Sequence, residues 1–528
     1  MWGWRLGCAR RFGVALIDSR GRIDQWRAAT APETQRSVRL DFSLLRKAFF
    51  CFGAGVLVVA PFTRDPLITA ACGAVPYALV LILDRVRMPS IVVFYLLFMW
   101  LEMAARLVLT ALDEEALGDS VYGTDVCRAM WYAMASLIVL ALVLRTHLGR
   151  SPARTAHALD THLRWPPLAL FQVYLGAAGF AFILAPLARL SGGLAQPVQA
   201  LEALKYVAIF TLFATVLSTR YGYKLLLLVV LVEIAIGFTG LFSGFKTILI
   251  VLLLTGLSLR MTLRIPTIAG IAAAFSALVV LLLFWTAVKS EYREYATGYS
   301  DTQTIAAGLG DRARMLIDKA LHPEEIEWGL AIDGVVRRIA YIDFFGATIG
   351  VVENAPEEEF LPRWRDALEH VAKPRILFPN KPSLDDTEVF LRYVRDEVGD
   401  DSRPGTSISI GYLAENFIDF GFPLMLIPVG VMGLVLSCAI RYFMTRPVPW
   451  AVREGLTMAL ILTLGTGMEL SLAKFLGGLI MVTGVLGLCV KFLYPVVERW
   501  LERRRVELIA TGSAAYQGNE AVSQESVG

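Results

Sequence analysis

The stretch IPTIAGIAAAFSALVVLLLFWTAV, residues 265–288, is 24 residues long and contains no charged side chain. A helix of this length and composition can cross the hydrocarbon core of a bilayer. Comparable runs recur along the 528-residue chain, which is 56% hydrophobic and 18% charged. Soluble domains carry about one quarter charged residues. The sequence therefore predicts an all-α polytopic membrane protein.

Apolar runs near spanning length predict twelve transmembrane helices. They are residues 47–63, 67–83, 89–111, 126–145, 166–189, 200–218, 222–241, 246–259, 265–288, 408–442, 451–470 and 474–494. The run over 408–442 is long enough to begin outside the bilayer. The run over 246–259 is short for a spanning helix.

Lysine and arginine collect at the N-terminus and in alternate loops, such as STRYGYK (218–224) and RMTLR (260–264). The positive-inside rule then places both termini in the cytoplasm and one large, acidic loop outside. The predicted division is a basic cytoplasmic segment over 1–46, nine helices over 47–288, a periplasmic helical loop over 289–407, three helices over 408–494 and a cytoplasmic tail over 495–528.

The outer loop ends in the proline-rich stretch KPRILFPNKPSLDD, residues 373–386. Its prolines fix φ and restrict their neighbours, so they hold Arg375 and Lys381 in a defined turn with Asn380 between them. Two cations and free backbone N–H groups suit a phosphate or a diphosphate. The alternative is a rim loop that contacts anionic lipid headgroups.

A second candidate stretch is GTSISIGYLAENFIDFG, residues 405–421, which includes Tyr412. Helical spacing places Glu415 and Asp419 on one stripe at the membrane surface. Two carboxylates there could orient an acceptor hydroxyl or act as general base. The alternative is an ion pair with Arg403 or Arg375 that fixes the helix.

Further cations flank the apolar runs on the predicted outer side. Lys246, in LFSGFKTILI (241–250), could reach an anionic headgroup or simply extend to the interface. Lys289 and Arg293 follow the ninth run, where lipid or substrate phosphate could meet them. His370 could serve as a base, although a surface histidine on a helix is the simpler interpretation.

Several charged residues fall inside the apolar runs. Glu102 and Arg106 stand four residues apart, which predicts an internal ion pair. Lys205 and Glu233 lie on different apolar runs, and either could line a cavity. A transporter would also use such residues.

Scattered cysteines and histidines predict neither a disulfide framework nor a metal site. Glycine-rich nucleotide loops and nucleophile elbows are absent from the sequence, so no cofactor and no ATP use are expected. The net charge of +3 gives no indication of nucleic-acid binding.

The helix pattern, the late outer loop and the stretches PRILFPNKP, TSISIGYLAENFIDFG and FSGFKT resemble bacterial O-antigen and exopolysaccharide repeat-unit polymerases of the Wzy type. The resemblance implies a membrane glycosyltransferase of the GT-C superfamily. Its substrates would be undecaprenyl-pyrophosphate-linked oligosaccharides, joined on the outer face of the inner membrane with release of undecaprenyl pyrophosphate. Its partners would be membrane lipids, a flippase and a chain-length regulator.

In that setting the cations Arg375, Lys381 and Lys246, with Arg403 behind them, are predicted to bind the pyrophosphate. Glu415 or Asp419 is predicted to act on the acceptor hydroxyl. The secondary candidates are Lys289, Arg293, His370, Asn380 and Tyr412. An O-antigen ligase and a flippase or transporter of lipid-linked oligosaccharides stay open as alternatives, because the sequence does not separate them.

Overall fold

The computed structural model describes residues 42–84, 88–119, 123–149, 165–190, 194–239, 244–259, 265–298, 306–354, 362–374, 377–378, 380–382, 386–394, 408–465 and 467–525. Within these segments the regular structure is entirely helical. The prediction of an all-α chain is therefore confirmed for the described residues.

Ten helices precede the large loop. They are α1 (Phe42–Val59), α2 (Pro66–Leu83), α3 (Ser90–Asp113), α4 (Asp125–Leu148), α5 (Pro167–Leu190), α6 (Ala195–Glu202), α7 (Leu204–Thr219), α8 (Tyr223–Thr239), α9 (Phe245–Ser258) and α10 (Ile265–Ala296). The loop helices are α11 (Leu309–Leu321), α12 (Trp328–Ile339), α13 (Ile342–Asn354), α14 (Arg363–Ala372) and α15 (Asp386–Val394). The remaining helices are α16 (Tyr412–Phe420), α17 (Leu426–Met444), α18 (Trp450–Leu464), α19 (Leu472–Leu488) and α20 (Tyr494–Glu525).

Nine helical segments of the described chain are long and apolar enough to cross a membrane. They are Phe42–Phe62, Pro66–Leu83, Ser90–Asp113, Asp125–Leu148, Pro167–Leu184, Ala195–Thr219, Phe275–Ala296, Leu426–Met444 and Leu472–Leu508. The other predicted spans are helical but shorter: α8, α9 and α18 have 17, 14 and 15 residues. At 1.5 Å per residue they measure about 21–26 Å, less than the roughly 30 Å hydrocarbon core.

The tenth predicted span, 408–442, is divided in the structure, so its prediction as one helix was wrong. The short helix α16 ends at Phe420, and α17 begins at Leu426. Gly421 between them has φ +62°, a positive value that favours glycine and is incompatible with a continuing α-helix. Pro423 also cannot donate a backbone hydrogen bond, which prevents a continuous helix through this segment.

Close helix packing positions the two halves of the bundle against each other. Helix α7 packs along α18, and α4 packs along α17. At Gly455 of α18, an added methyl group would lie 3.0 Å from the Val207 Cα atom of α7. Small residues allow such close approach. In lipid, where the hydrophobic effect does not drive helices together, this close packing is what associates them.

The loop helices cover one end of the bundle, which we call the loop side. Helix α12 packs on α3 and α10, α13 packs on α4, and α14 packs on α19. Leu109 of α3 and Ala340, just after α12, belong to one buried apolar cluster. The loop side therefore joins residues from both ends of the sequence.

Candidate functional site

Two buried carboxylates hold the turn that precedes α19, residues 467–471. Glu102 of α3 accepts a hydrogen bond from the Met468 backbone N–H at 2.6 Å. Glu415 of α16 accepts one from the N–H of Leu472, the first residue of α19. A carboxylate at a helix N-terminus is stabilised by the helix dipole. The turn is therefore fixed on both sides by carboxylates from distant parts of the chain.

A third carboxylate ties the same turn to the loop helices. Asp386, the first residue of α15, is buried and accepts a hydrogen bond from the Ser471 hydroxyl at 3.2 Å. Lys474 Nζ lies 2.6 Å from the same carboxylate oxygen. The ion pair and the hydrogen bond together fix the start of α19 against the outer loop.

Gly411, just before α16, brings the backbone of two segments together. Its φ of +84° lies in the region that favours glycine, and a side chain at this position would collide with the Met468 carbonyl. The added methyl group would also lie 3.2 Å from the Tyr341 ring. The turn, the start of α16 and Tyr341 therefore meet at one point on the loop side.

Glu469 occupies the exposed part of this turn. Its charge interacts with those of Lys246 and Glu102 and with Tyr341. Glu102 and Glu415 are buried, and each accepts a backbone hydrogen bond through Oε2, whereas the Glu469 carboxylate has no hydrogen bond to another described residue. Glu469 is therefore the exposed carboxylate of this turn, and a ligand can reach it.

Three cations from three helices interact electrostatically on the loop side, and one of them, Lys246, also interacts with Glu469 of the turn. Lys246 is the second residue of α9, Arg293 lies in the last turn of α10, and Arg338 lies in the last turn of α12. The positive charge of Arg338 repels the positive charges of both Lys246 and Arg293. We call these three residues the cation cluster.

The electrostatics of the cation cluster favour an anion. Lys246 also lies in the first turn of α9, where the positive end of the helix dipole is unfavourable for a cation. Helix N-termini and charged donors are the usual partners of phosphate oxygens. The arrangement is therefore suited to an anion with several oxygens, such as a diphosphate.

Burial shifts the pKa of several groups outside the nine apolar spans. Burial, followed by the charge of Glu469, raises the pKa of Tyr341 well above its ordinary value, so its hydroxyl stays a hydrogen-bond donor. Burial raises the pKa of Glu415 to about 7, although the Leu472 N–H opposes this shift. Burial also raises the pKa of Asp343 to about 6 against the effect of Arg106.

The predicted proline-rich turn is described only in part. Arg375 and Arg403 lie outside the described residues. The Lys381 ammonium donates to the carbonyl of His370, near the C-terminus of α14, and Asn380 is exposed. A cation at a helix C-terminus is favourable, so this contact stabilises α14. Pyrophosphate binding by these cations stays a prediction, as does a base role for the half-buried His370.

Asp419 lies one turn after Glu415 on α16 but has different partners. Its two carboxylate oxygens accept the backbone N–H groups of Arg363 at 2.9 Å and of Trp364 at 2.7 Å. These are the first two residues of α14, so Asp419 caps that helix. The Trp364 ring Nε1–H also donates to Asn416 Oδ1 at 2.7 Å. The carboxylates predicted to be catalytic thus both contact helix N-termini.

Two secondary candidates have different surroundings. Tyr412 is buried, and its hydroxyl lies 3.3 Å from the Tyr95 hydroxyl and 3.4 Å from Met99 Sδ. Lys289 is half-buried on α10, one turn before Arg293. Arg293 joins the cation cluster, whereas Tyr412 contributes to the packing between α3 and α16.

The charges inside the bundle are paired differently from the prediction. Glu102 and Arg106 do not pair: Glu102 binds the 467–471 turn, and Arg106 Nε lies 3.4 Å from Asp343 Oδ1. Lys205 Nζ instead lies 2.8 Å from Glu233 Oε2.

Tyr174 completes this pair by donating its hydroxyl to Glu233 Oε1 at 2.9 Å. We call Tyr174, Lys205 and Glu233 the buried triad. Lys205 and Glu233 therefore satisfy each other within the bundle.

Arg338 is the site residue that sequence reasoning missed. Its only local signal is the pair Arg337 and Arg338 at the end of an amphipathic segment. Such a pair equally fits a solvated helix end, because cations are favourable there. Its relation to Lys246, 92 positions earlier, arises only when α12 packs against the bundle.

No family model matches this chain, and the comparisons with curated proteins and with solved structures also gave no match. Among the residues placed by the structure, no group of three or more His, Cys, Asp or Glu side chains could hold a metal ion. Functional inference therefore rests on the charges and contacts at the loop side.

Proposed function

We propose that the protein is a polyprenyl-pyrophosphate-dependent glycosyltransferase that polymerises undecaprenyl-pyrophosphate-linked oligosaccharide repeat units. The product would be an O-antigen, capsule or exopolysaccharide, made on the periplasmic face of the bacterial inner membrane. The observation that carries this proposal is the placement of Lys246, Arg293 and Arg338 at the ends of helices that pack on the loop side of an apolar bundle.

The chemistry of a lipid diphosphate explains why cations would gather there. A sugar attached to a diphosphate is already activated, so its transfer needs stabilisation of charge on the leaving group. Cations fixed before the reaction supply that stabilisation at little reorganisation cost. Lys246, Arg293 and Arg338 come from three helices, and the packing of those helices holds their backbones in position.

The position of the cluster also fits a lipid-linked substrate. Arg293 lies near the end of the apolar span Phe275–Ala296, and Lys246 begins the apolar helix α9. A diphosphate at this level would leave its polyprenyl chain among the spans and its sugars among the loop helices. Lys381, Arg375 and Arg403 remain predicted contacts of the same diphosphate.

Purified protein supplied with lipid-linked repeat units in detergent tests the proposal. A ladder of lengthening glycans that requires no nucleotide is the expected result. A single transfer to lipid A core or protein would instead support a ligase. Transport of the lipid-linked substrate across liposomes without any ladder would support a flippase and overturn the polymerase proposal.

A further inference from the structure

A catalysed attack by a sugar hydroxyl also needs a group that takes the proton, and the loop side holds several carboxylates. Three of them, Glu102, Glu415 and Asp419, accept hydrogen bonds from backbone N–H groups. A fourth, Asp386, pairs with Lys474 at 2.6 Å. These contacts hold helix ends and the turn, and Glu102, Glu415 and Asp386 are buried.

Glu469 differs from these four carboxylates in both exposure and bonding. Its side chain is exposed. The backbone on either side of it is fixed, because the N–H groups of Met468 and Leu472 donate hydrogen bonds to Glu102 and Glu415. The backbone that carries Glu469 is therefore fixed while its carboxylate is left accessible. A proton acceptor needs this combination, because it must be both placed and reachable.

The neighbours of Glu469 connect it to the cation cluster. The Tyr341 ring and the Met468 carbonyl both approach the same position at Gly411, which places Tyr341 beside the turn. Tyr341 follows Arg338 by three residues and lies between α12 and α13. The charge of Glu469 also acts on Lys246. Diphosphate and acceptor hydroxyl could therefore be held side by side.

We propose that Glu469 is the catalytic proton acceptor for the incoming sugar hydroxyl, which extends the proposed glycosyl transfer and rests on it. The Glu469 carboxylate takes the hydroxyl proton while the hydroxyl oxygen forms a bond to the anomeric carbon. The bond from that carbon to the diphosphate oxygen breaks, and its electron pair leaves with the diphosphate. The cation cluster stabilises the charge on this leaving group.

The test compares Glu469→Gln and Glu469→Asp with Glu324→Gln, a matched change at an exposed residue of the outer loop. Two quantities are measured in each purified protein: the initial rate of glycan extension and the Kd for undecaprenyl diphosphate. Glu469→Gln is expected to lower the rate about 10²-fold or more, the usual effect of losing a general base. Its Kd should stay equal or tighten, because a negative charge beside the cations is removed.

Glu469→Asp should keep more activity than Glu469→Gln, because it retains a carboxylate, and Glu324→Gln should behave as wild type. A wild-type extension rate in Glu469→Gln would overturn the inference while leaving the proposed function intact. Parallel losses of extension rate, diphosphate affinity and thermal stability would overturn it too, because they indicate a structural role.

Loss of extension in Glu415→Gln with normal extension in Glu469→Gln would assign the base to Glu415 and overturn the inference. If wild-type protein neither extends glycans nor binds the diphosphate, the proposed function itself fails. The binding measurement therefore separates failure of the Glu469 assignment from failure of the glycosyltransferase proposal.

Discussion

The buried triad and the cation cluster show two ways in which one helical bundle carries lysine. Lys205 of α7 lies 2.8 Å from Glu233 and shares that carboxylate with Tyr174. Lys246 of the neighbouring helix α9 has no carboxylate at ion-pair distance among the described residues, and its charge opposes that of Arg338. The first arrangement pairs its cation with a carboxylate, whereas the second brings like charges together, which a bound anion would neutralise.

The difference separates structural charges from functional ones. A buried charge that already has its partner contributes to the fold, and removal of the partner leaves a costly uncompensated ion. Like charges held together lower stability unless a ligand neutralises them. Substitutions in the buried triad should therefore affect mainly stability, and substitutions in the cation cluster should affect mainly activity.

The largest expected effect is on the buried triad. Glu233→Ala should destabilise the protein by about 3 kcal/mol, because the half-buried Lys205 would lose its ion-pair partner. The measurement is the unfolding midpoint of detergent-solubilised protein. The double variant Lys205→Met with Glu233→Leu is the control, and it should recover most of the loss. Wild-type stability of Glu233→Ala would mean that the pair is dispensable.

Substitution in the cation cluster should give the opposite pattern. Arg338→Ala should lower the rate of glycan extension about 10²-fold, because one contact to the leaving group is lost. Its unfolding midpoint should stay equal or rise, because repulsion of Lys246 and Arg293 is relieved. Arg314→Ala, at an exposed position on α11, is the matched control. Equal rates in both variants would remove Arg338 from the site.

The Asp343 carboxylate should make the stability of the protein depend on pH. Burial raises the pKa of Asp343 from an ordinary value near 3.8 to about 6, so the folded state holds this proton more tightly than the unfolded state. Stability from this group is greatest below about pH 4, falls as the pH rises to about 6 and is level above it. The total change is at most about 3 kcal/mol.

Asp343→Asn is the comparison for that pH dependence, because the amide does not titrate. The difference in unfolding midpoint between wild type and Asp343→Asn should change between pH 4 and 6 and stay constant above pH 7. A constant difference over the whole range would show that the Asp343 pKa is not raised.

The smallest expected effect concerns Asp419. Its oxygens cap α14, and loss of such a cap costs about 1 kcal/mol. Asp419→Ala should therefore lower the unfolding midpoint slightly, while the rate of extension changes by no more than about threefold, since no proton transfer is lost. Asp419→Asn is the control that keeps one acceptor oxygen. A loss of about 10²-fold or more with a normal midpoint would instead support the catalytic role predicted from the sequence.

The helical character of the chain could be predicted because long uncharged runs such as 265–288 carry that information locally. The break between α16 and α17 was missed because FPLML continues the apolar run, although Gly421 and Pro423 mark it. Individual span lengths were harder to predict, since hydropathy alone does not tell where a helix such as α18 ends.

The candidate site could be predicted only in part. Lys246 and Arg293 were found because each lies at the end of an apolar run, and Arg338 was missed because its neighbours are distant in sequence. The partners of Glu102 and Glu233 could not be predicted for the same reason. Met468 lies 366 positions from Glu102, and Lys205 lies 28 positions from Glu233. Local spacing cannot identify contacts that depend on the packing of separate helices.

The central claim is that the cation cluster binds a diphosphate, and the Kd for undecaprenyl diphosphate tests it most directly. Calorimetric titration of wild type against the double variant Lys246→Ala with Arg338→Ala gives this value without any dependence on turnover. We expect the double variant to bind about 10²-fold or more weakly, at an unchanged or higher unfolding midpoint. Equal Kd values for the two folded proteins would contradict the account.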